Sequence, residues 1–104
     1  MTAQLPSVQP WALVGLLAAV RFSVQADSSP GMLPRLLQPF AKRDLVPDSF
    51  TAERRGEAVR VEIAMDRMPA EMVHVVEGNL RQMVGVVSVT LRQEITGAVR
   101  RQAA

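Results

Sequence analysis

The single histidine, His74, stands between Glu71 and Glu77. A histidine beside carboxylates could do acid/base work, which needs paired ionisable groups in a cleft. The spacing instead puts His74 on the polar side of a helix, a solvated face. Asp27 and Asp44 are the other carboxylates of interest, but they fall at opposite ends of one expected helix. No Ser/His/Asp set and no Gly-rich phosphate loop is present. GNLRQMVG (Gly78–Gly85) reads as the end of a helix and its stop. The chain has no cysteine, so it has neither a disulfide frame nor a thiolate metal site. What remains is a turn, Asp27-Ser28-Ser29-Pro30-Gly31, whose side-chain oxygens can cap the helix that follows.

Six elements must position that turn. Val20–Ala26 alternates, with Val20, Phe22, Val24 and Ala26 on one face and Arg21, Ser23 and Gln25 on the other, so it predicts a half-buried strand. Leu33, Leu36, Leu37 and Phe40 then recur at helical spacing. Pro34 suits the first turn of that helix. Pro39 would cost roughly 3 kcal/mol inside a regular helix, so a kink or a shortened helix is expected there. Lys42 and Arg43 suit the negative end of the helix dipole.

Pro47–Arg54 reads as an edge strand, Arg55-Gly56-Glu57 as a hairpin turn, and Ala58–Met65 as a strand with Val59, Val61, Ile63 and Met65 inward. Pro69 can open a second helix at its first position. Its expected apolar face is Met72, Val73, Val76, Leu80, Met83 and Val84, and Gly85 is its stop. Val87, Val89 and Leu91 alternate into a fourth strand. From Ile95 onward the chain reads as a frayed or weakly helical tail.

The order β-α-β-β-α-β is that of the ferredoxin-like split βαβ sandwich, an α+β fold with a four-stranded antiparallel sheet and two helices on one face. The expected domain is 20–92, with an arm or short helix over 1–19 and a tail over 93–104. Within the arm, Trp11–Val20 is an apolar run too short to span a bilayer. The residues before it carry no Lys or Arg, which argues against a secretory signal.

The totals agree with one small domain. The chain has 104 residues, 48% of them apolar, and a net charge of +2. Its basic residues occur close together only as Lys42-Arg43, Arg54-Arg55 and Arg100-Arg101, too sparse for a phosphate-binding stripe. An RNA-recognition domain of this fold needs aromatic residues on the open sheet face. Here that face holds Arg21, Ser23, Gln25, Arg60 and Glu62. A copper-chaperone relative would carry a CxxC in the first loop. Neither nucleic acid nor membrane is expected as a partner, and the expected location is cytoplasmic.

FSVQADSSPGMLPRLLQPFAKRDLVPDSFTAE resembles the ACT domain family. That family shows a strand, a polar loop ending in Gly before the first helix, an apolar residue two positions on, then an R-φ-φ-x-x-F-x-x-R stretch. Gly31, Leu33, Arg35, Leu36, Leu37, Phe40 and Arg43 meet the pattern in order. NLRQMVGVVSVTL (Asn79–Leu91) is similar to the second helix, its stop and the last strand. Within the family the chain most resembles the small regulatory subunit of acetohydroxyacid (acetolactate) synthase, over roughly residues 20–92.

The resemblance implies a non-catalytic homodimer that binds a small amino acid, such as valine, leucine or isoleucine. It also implies a catalytic partner, the thiamine-diphosphate-dependent large subunit of branched-chain amino-acid synthesis, which would carry the cofactor. This chain would carry no cofactor and no metal. In the family the loop faces a neighbouring subunit and the effector lies between them. Free N–H groups at a helix start favour a carboxylate, and glycine lets the backbone approach it. The implied site is Asp27, Ser28, Ser29, Gly31, Met32 and Leu33, then Val46 and Asp48 near the second strand.

This sequence departs from the small subunits at three places. Ser28 stands where many have Asn. Asp44 replaces a Gly, and Val46 replaces the Asn that would reach a bound valine, which removes a polar anchor. A ferredoxin-like dimerisation module without ligand is the alternative.

Overall fold

The structure is a computed structural model and describes residues 13–98. The two ends of the chain, including most of the expected arm and the last part of the tail, lie outside the described residues. Six elements run in the expected order: β1 (Leu16–Asp27), α1 (Met32–Ala41), β2 (Ser49–Arg55), β3 (Ala58–Pro69), α2 (Ala70–Arg81) and β4 (Val86–Ala98). The four strands form one sheet in the order β2-β3-β1-β4. Every neighbouring pair is antiparallel. Each βαβ crossover therefore skips one strand, and the skipped strand fills the gap. This is the split βαβ arrangement.

The alternating residues of β1 and β3 decide which face the helices cover. Val20, Phe22, Val24, Ala26, Val59, Val61, Ile63 and Met65 are all buried, together with Met32, Leu36 and Phe40 of α1 and Val73, Val76 and Leu80 of α2. Phe22 and Phe40 meet edge to face with ring centroids 5.6 Å apart, which ties α1 to the middle of the sheet. The opposite face is polar. Glu62 is its hub: it accepts a hydrogen bond from Ser23 Oγ at 2.8 Å and lies 3.4 Å from Arg60 and 3.9 Å from Arg21.

Several boundaries differ from the sequence expectation, each for a local reason. β1 starts at Leu16, so the end of the apolar run is a strand and not an arm. Leu17 pairs with Pro69 and Ala18 with Met68. β3 continues past Met65 because the register shifts opposite Ala18–Val20. Ala18 faces Met68 and Val20 faces Met65, so Asp66 and Arg67 bulge outward and Met68 returns to the core. Pro69 is the last residue of β3 and the N-cap of α2, not its first helical residue. α2 ends at Arg81, short of Met83 and Val84, and Val84 is exposed.

β4 runs to Ala98, replacing the expected frayed start of the tail. A register shift between Gln25 and Ala26 bulges β4 at Val87, so this residue is exposed and does not face inward. Helix α1 runs through Pro39 to Ala41, with Pro39 buried on its inner face. The buried face of α1 is Met32, Leu36, Pro39 and Phe40, while Leu33 is turned out. Arg43 hydrogen-bonds the Pro39 carbonyl at 2.9 Å, the expected role of a cation at a helix end.

Candidate functional site

The loop from Asp27 to Leu33 joins the end of β1 to the start of α1 and is held at both ends by backbone. Asp27 N–H donates to the Gly85 carbonyl at 2.9 Å, and Ser28 N–H to the Glu57 carbonyl at 3.1 Å. The loop is thus fastened to the β2–β3 hairpin on one side and to the α2–β4 turn on the other. Asp27 Oδ1 accepts a hydrogen bond from Ser29 N–H at 3.1 Å, and the Ser29 carbonyl accepts from Met32 N–H at 3.0 Å. These two bonds set the entry angle of the helix.

Arg35 closes the turn. Its Nε donates to the Gly31 carbonyl and its Nη1 to the Val84 carbonyl, both at 3.3 Å. Hydrogen bonding from Ser29, reinforced by the charge of Arg35, holds the Asp27 carboxyl below its ordinary range. Asp27 is therefore firmly ionised at neutral pH. The Gly31 and Leu33 N–H groups have no acceptor among the described residues. A carboxylate, a guanidinium and two open N–H groups thus share one exposed turn. Leu33 in the turn, Val84, whose carbonyl Arg35 reaches, and Val87 near the start of β4 are exposed apolar residues.

The sequence-predicted residues divide into two sets. Asp27, Ser28, Ser29, Gly31, Met32 and Leu33 are together, although Met32 is fully buried and acts as the floor of the turn. Val46 and Asp48 are not with them. Asp27 pairs with Ala58 at one end of the sheet, whereas Asp48 donates its N–H to the Ala64 carbonyl well down β3. Helix α1 carries the chain from one end of the sheet to the other, so one chain cannot bring both sets to one ligand. The Asp48 carboxylate is also occupied, accepting the Asp66 N–H at 2.6 Å. Val46 is 81% exposed.

Gly31 needs no glycine for its own conformation. Its φ is −87°, and a Cβ there would meet only Arg35 Nε at 4.0 Å. Sequence reasoning missed Arg35, Val84 and Gly85 as parts of the turn. Arg35 is visible in the sequence as a motif residue, but its reach to the Val84 carbonyl spans two helices. His74 is exposed on α2, as expected of a solvated face. Among the described residues no group of His, Asp and Glu side chains could hold a metal ion, and no helix is long and apolar enough to cross a membrane.

Comparison with known proteins adds three findings. The model of a family described as ACT-like domain matches residues 16–97. No curated protein matches the chain. Among solved structures, the ACT domain from the GTP pyrophosphokinase of Chlorobium tepidum superposes with a TM-score of 0.63 at 12% sequence identity. The match covers 72% of this chain and 97% of that one, and at this identity it speaks to the fold.

Proposed function

The chain belongs to the ACT-like domain family, and from that premise we propose that it is a regulatory, non-catalytic subunit whose β1–α1 turn binds a small aliphatic amino acid. ACT domains are regulatory modules that commonly bind amino-acid effectors and dimerise. One observation carries the reading for this chain: the ionised Asp27 carboxylate shares a turn with Arg35 and the open N–H groups of Gly31 and Leu33. That set matches a zwitterion. The ligand's ammonium faces Asp27, and its carboxylate faces the helix start and the guanidinium. Leu33, Val84 and Val87 offer apolar contact to an aliphatic side chain such as that of valine, leucine or isoleucine.

The same reading includes a homodimer and a catalytic partner. The sequence resemblance over 20–92 supports the thiamine-diphosphate-dependent large subunit of acetohydroxyacid synthase as that partner. The solved neighbour comes from a different enzyme. A second reading, a dimerisation module with no effector, draws on Val46. Its exposed isopropyl group offers no hydrogen bond where the small subunits have Asn.

The test is a thermal melt of the full chain against each amino acid at millimolar concentration. A ligand at a hundred times its dissociation constant adds about 2.7 kcal/mol, and each kcal/mol moves the midpoint of such a domain by about 4–8 °C. Gly31→Leu should keep the unliganded midpoint, because φ there is negative and a Cβ meets only Arg35 Nε at ordinary contact distance, and should abolish the ligand shift. No shift with any amino acid sinks the effector reading and leaves the dimerisation module.

A further inference from the structure

We propose that the open face of the sheet is a second ligand site, which takes a small phosphate ester with a hydroxylated body and holds its phosphoryl group between Arg21 and Arg92. The site lies on the face away from the helices and is independent of the amino-acid reading of the β1–α1 turn.

Strand register assembles the site. Thr51 of β2, Glu62 of β3, Ser23 of β1 and Thr90 of β4 form one row of side chains across the open face. Two residues along each central strand, Arg21 of β1 stands directly beside Arg92 of β4. Over this row and this pair lies an open depression of 570 Å³, reached from its other side by Arg60. Such a volume is in the range of small-molecule sites. The basic residues look sparse along the sequence because only strand pairing gathers these three arginines.

The charges of the depression do not balance. Its two carboxylates are Glu53 and Glu62. Glu53 is already joined to Arg55 at 2.9 Å. Glu62 accepts a hydrogen bond from Ser23 Oγ and lies 3.4 Å from Arg60 and 3.9 Å from Arg21. Arg92 belongs to no ion pair among the described residues. Glu94, the next residue on this face of β4, makes no ion pair there either and lies outside the depression. All ten acidic residues of the sequence fall among the described ones, so the ends hold no further acidic side chain for Arg92.

Arg92 and Arg21 are thus like charges placed side by side, an arrangement unfavourable in a sheet. An oxyanion between them turns one repulsion into two attractions. Directly opposed residues have Cβ atoms about 4.5–5.5 Å apart, close enough for two guanidiniums to share one phosphoryl group. The planar guanidinium matches phosphate in a two-pronged bond. The rest of the ligand lies over the neighbouring row, where the exposed Thr51 and Thr90 hydroxyls can both donate and accept. Those rows hold no aromatic side chain on which a nucleobase would stack. The body they suit is a polyol.

The experiment is an NMR titration of the full isotope-labelled chain with glycerol 3-phosphate, inorganic phosphate and glycerol at constant ionic strength. Glycerol 3-phosphate should give saturable shifts at the Arg21 and Arg92 side-chain N–H groups and at Thr90. Inorganic phosphate should need a higher concentration, and glycerol should give no shift. Arg92→Gln should weaken glycerol 3-phosphate by about tenfold or more. Its unliganded melting midpoint should not fall, because the substitution relieves the repulsion from Arg21. Thr90→Val should weaken glycerol 3-phosphate by about two- to tenfold and leave inorganic phosphate unchanged. Arg67→Gln makes the same charge change at an exposed residue outside the depression and should leave binding as it is.

Absence of a saturable shift through the millimolar range would overturn the site. Equal weakening by Arg67→Gln and Arg92→Gln would overturn it too, since that is attraction to the charge of the whole chain. Inorganic phosphate binding as tightly as glycerol 3-phosphate would overturn the hydroxylated body. A single-stranded RNA oligonucleotide that moves the same resonances at lower concentration than the ester would overturn the small-molecule assignment. The amino-acid reading is followed separately, at the resonances of Asp27–Leu33, so either reading can fail alone.

Discussion

Asp27 and Gly85 are packed backbone against backbone: the Asp27 N–H donates to the Gly85 carbonyl at 2.9 Å, and a Cβ on Gly85 would lie 2.5 Å from Asp27 Oδ2. The same Cβ would lie 2.7 Å from the Met32 Cε, and Gly85 has a φ of +95°. This glycine, four residues past the end of α2, turns the chain into β4 and lets the α2–β4 turn touch the β1–α1 loop. Gly85→Ala should therefore cost about 1–3 kcal/mol for the left-handed backbone alone. It should also push Asp27 off Ser29, so ligand shifts should shrink more than stability does. Urea unfolding of the variant, with and without amino acid, checks both effects.

Asp44 is the one described non-glycine residue with positive φ, at 56°. It occupies the place where the resembling small subunits carry Gly, and the backbone explains why: the chain reverses there after α1. Left-handed backbone costs an ordinary residue about 1–2 kcal/mol, somewhat less for Asp. Asp44→Gly should raise stability by about 0.5–1 kcal/mol, less what the looser unfolded chain takes back. A higher urea midpoint at unchanged slope is the expected result. A lower midpoint would show that the Asp44 side chain contributes more than its strain costs.

The core strands and the helix faces are legible in the sequence because alternation in β1 and β3 is unbroken from Val20 to Ala26 and from Val59 to Met65. Bulges hide the rest. At Asp66-Arg67 and at Val87 an extra residue flips the alternation, so the simple pattern ends at Met65 and turns Val87 the wrong way. Leu33 has the spacing of a core residue, but Met32 and Pro39 take the inward positions. Pro39 terminates a helix in isolation, yet the packing of its buried ring accompanies an intact last turn. The loop is legible as Asp-Ser-Ser-Pro-Gly. The contact from Arg35 to Val84 is not, since it joins residues far apart in the sequence. Resemblance alone groups Val46 and Asp48 with the loop, and α1 separates them from it.

Phe40 is the hinge of the α1 packing, fully buried and edge-on to Phe22. Phe40→Ala should cost about 3–5 kcal/mol. That is a large part of the stability of a domain this size. Phe40→Leu keeps most of the volume and should cost less, about 1 kcal/mol, since it forfeits mainly the ring pair. Urea unfolding of both variants measures the difference. If the two substitutions cost the same, the edge-to-face contact with Phe22 would matter more than the volume Phe40 fills.

Asp27 should leave a signature in the acid limb of stability. Its carboxyl is held below the ordinary 3.8, first by the hydrogen bonds from Ser29 and then by Arg35. A depressed folded-state value means that the folded protein binds the proton less readily than the unfolded chain. The resulting stability is fully present above the unfolded value and is lost as pH falls through the folded one. Asp27→Asn removes this contribution while keeping an oxygen for the Ser29 N–H. The variant should therefore melt below the wild type at neutral pH by an amount that does not change down to about pH 5. Below 3.8 the two curves should converge, and they should run parallel once the wild-type carboxyl is protonated. Melting curves from pH 7 to pH 2 test this. A gap that persists undiminished at the acid end would mean that the Asp27 contribution is packing rather than charge, and the ammonium anchor proposed for the effector would lose its basis.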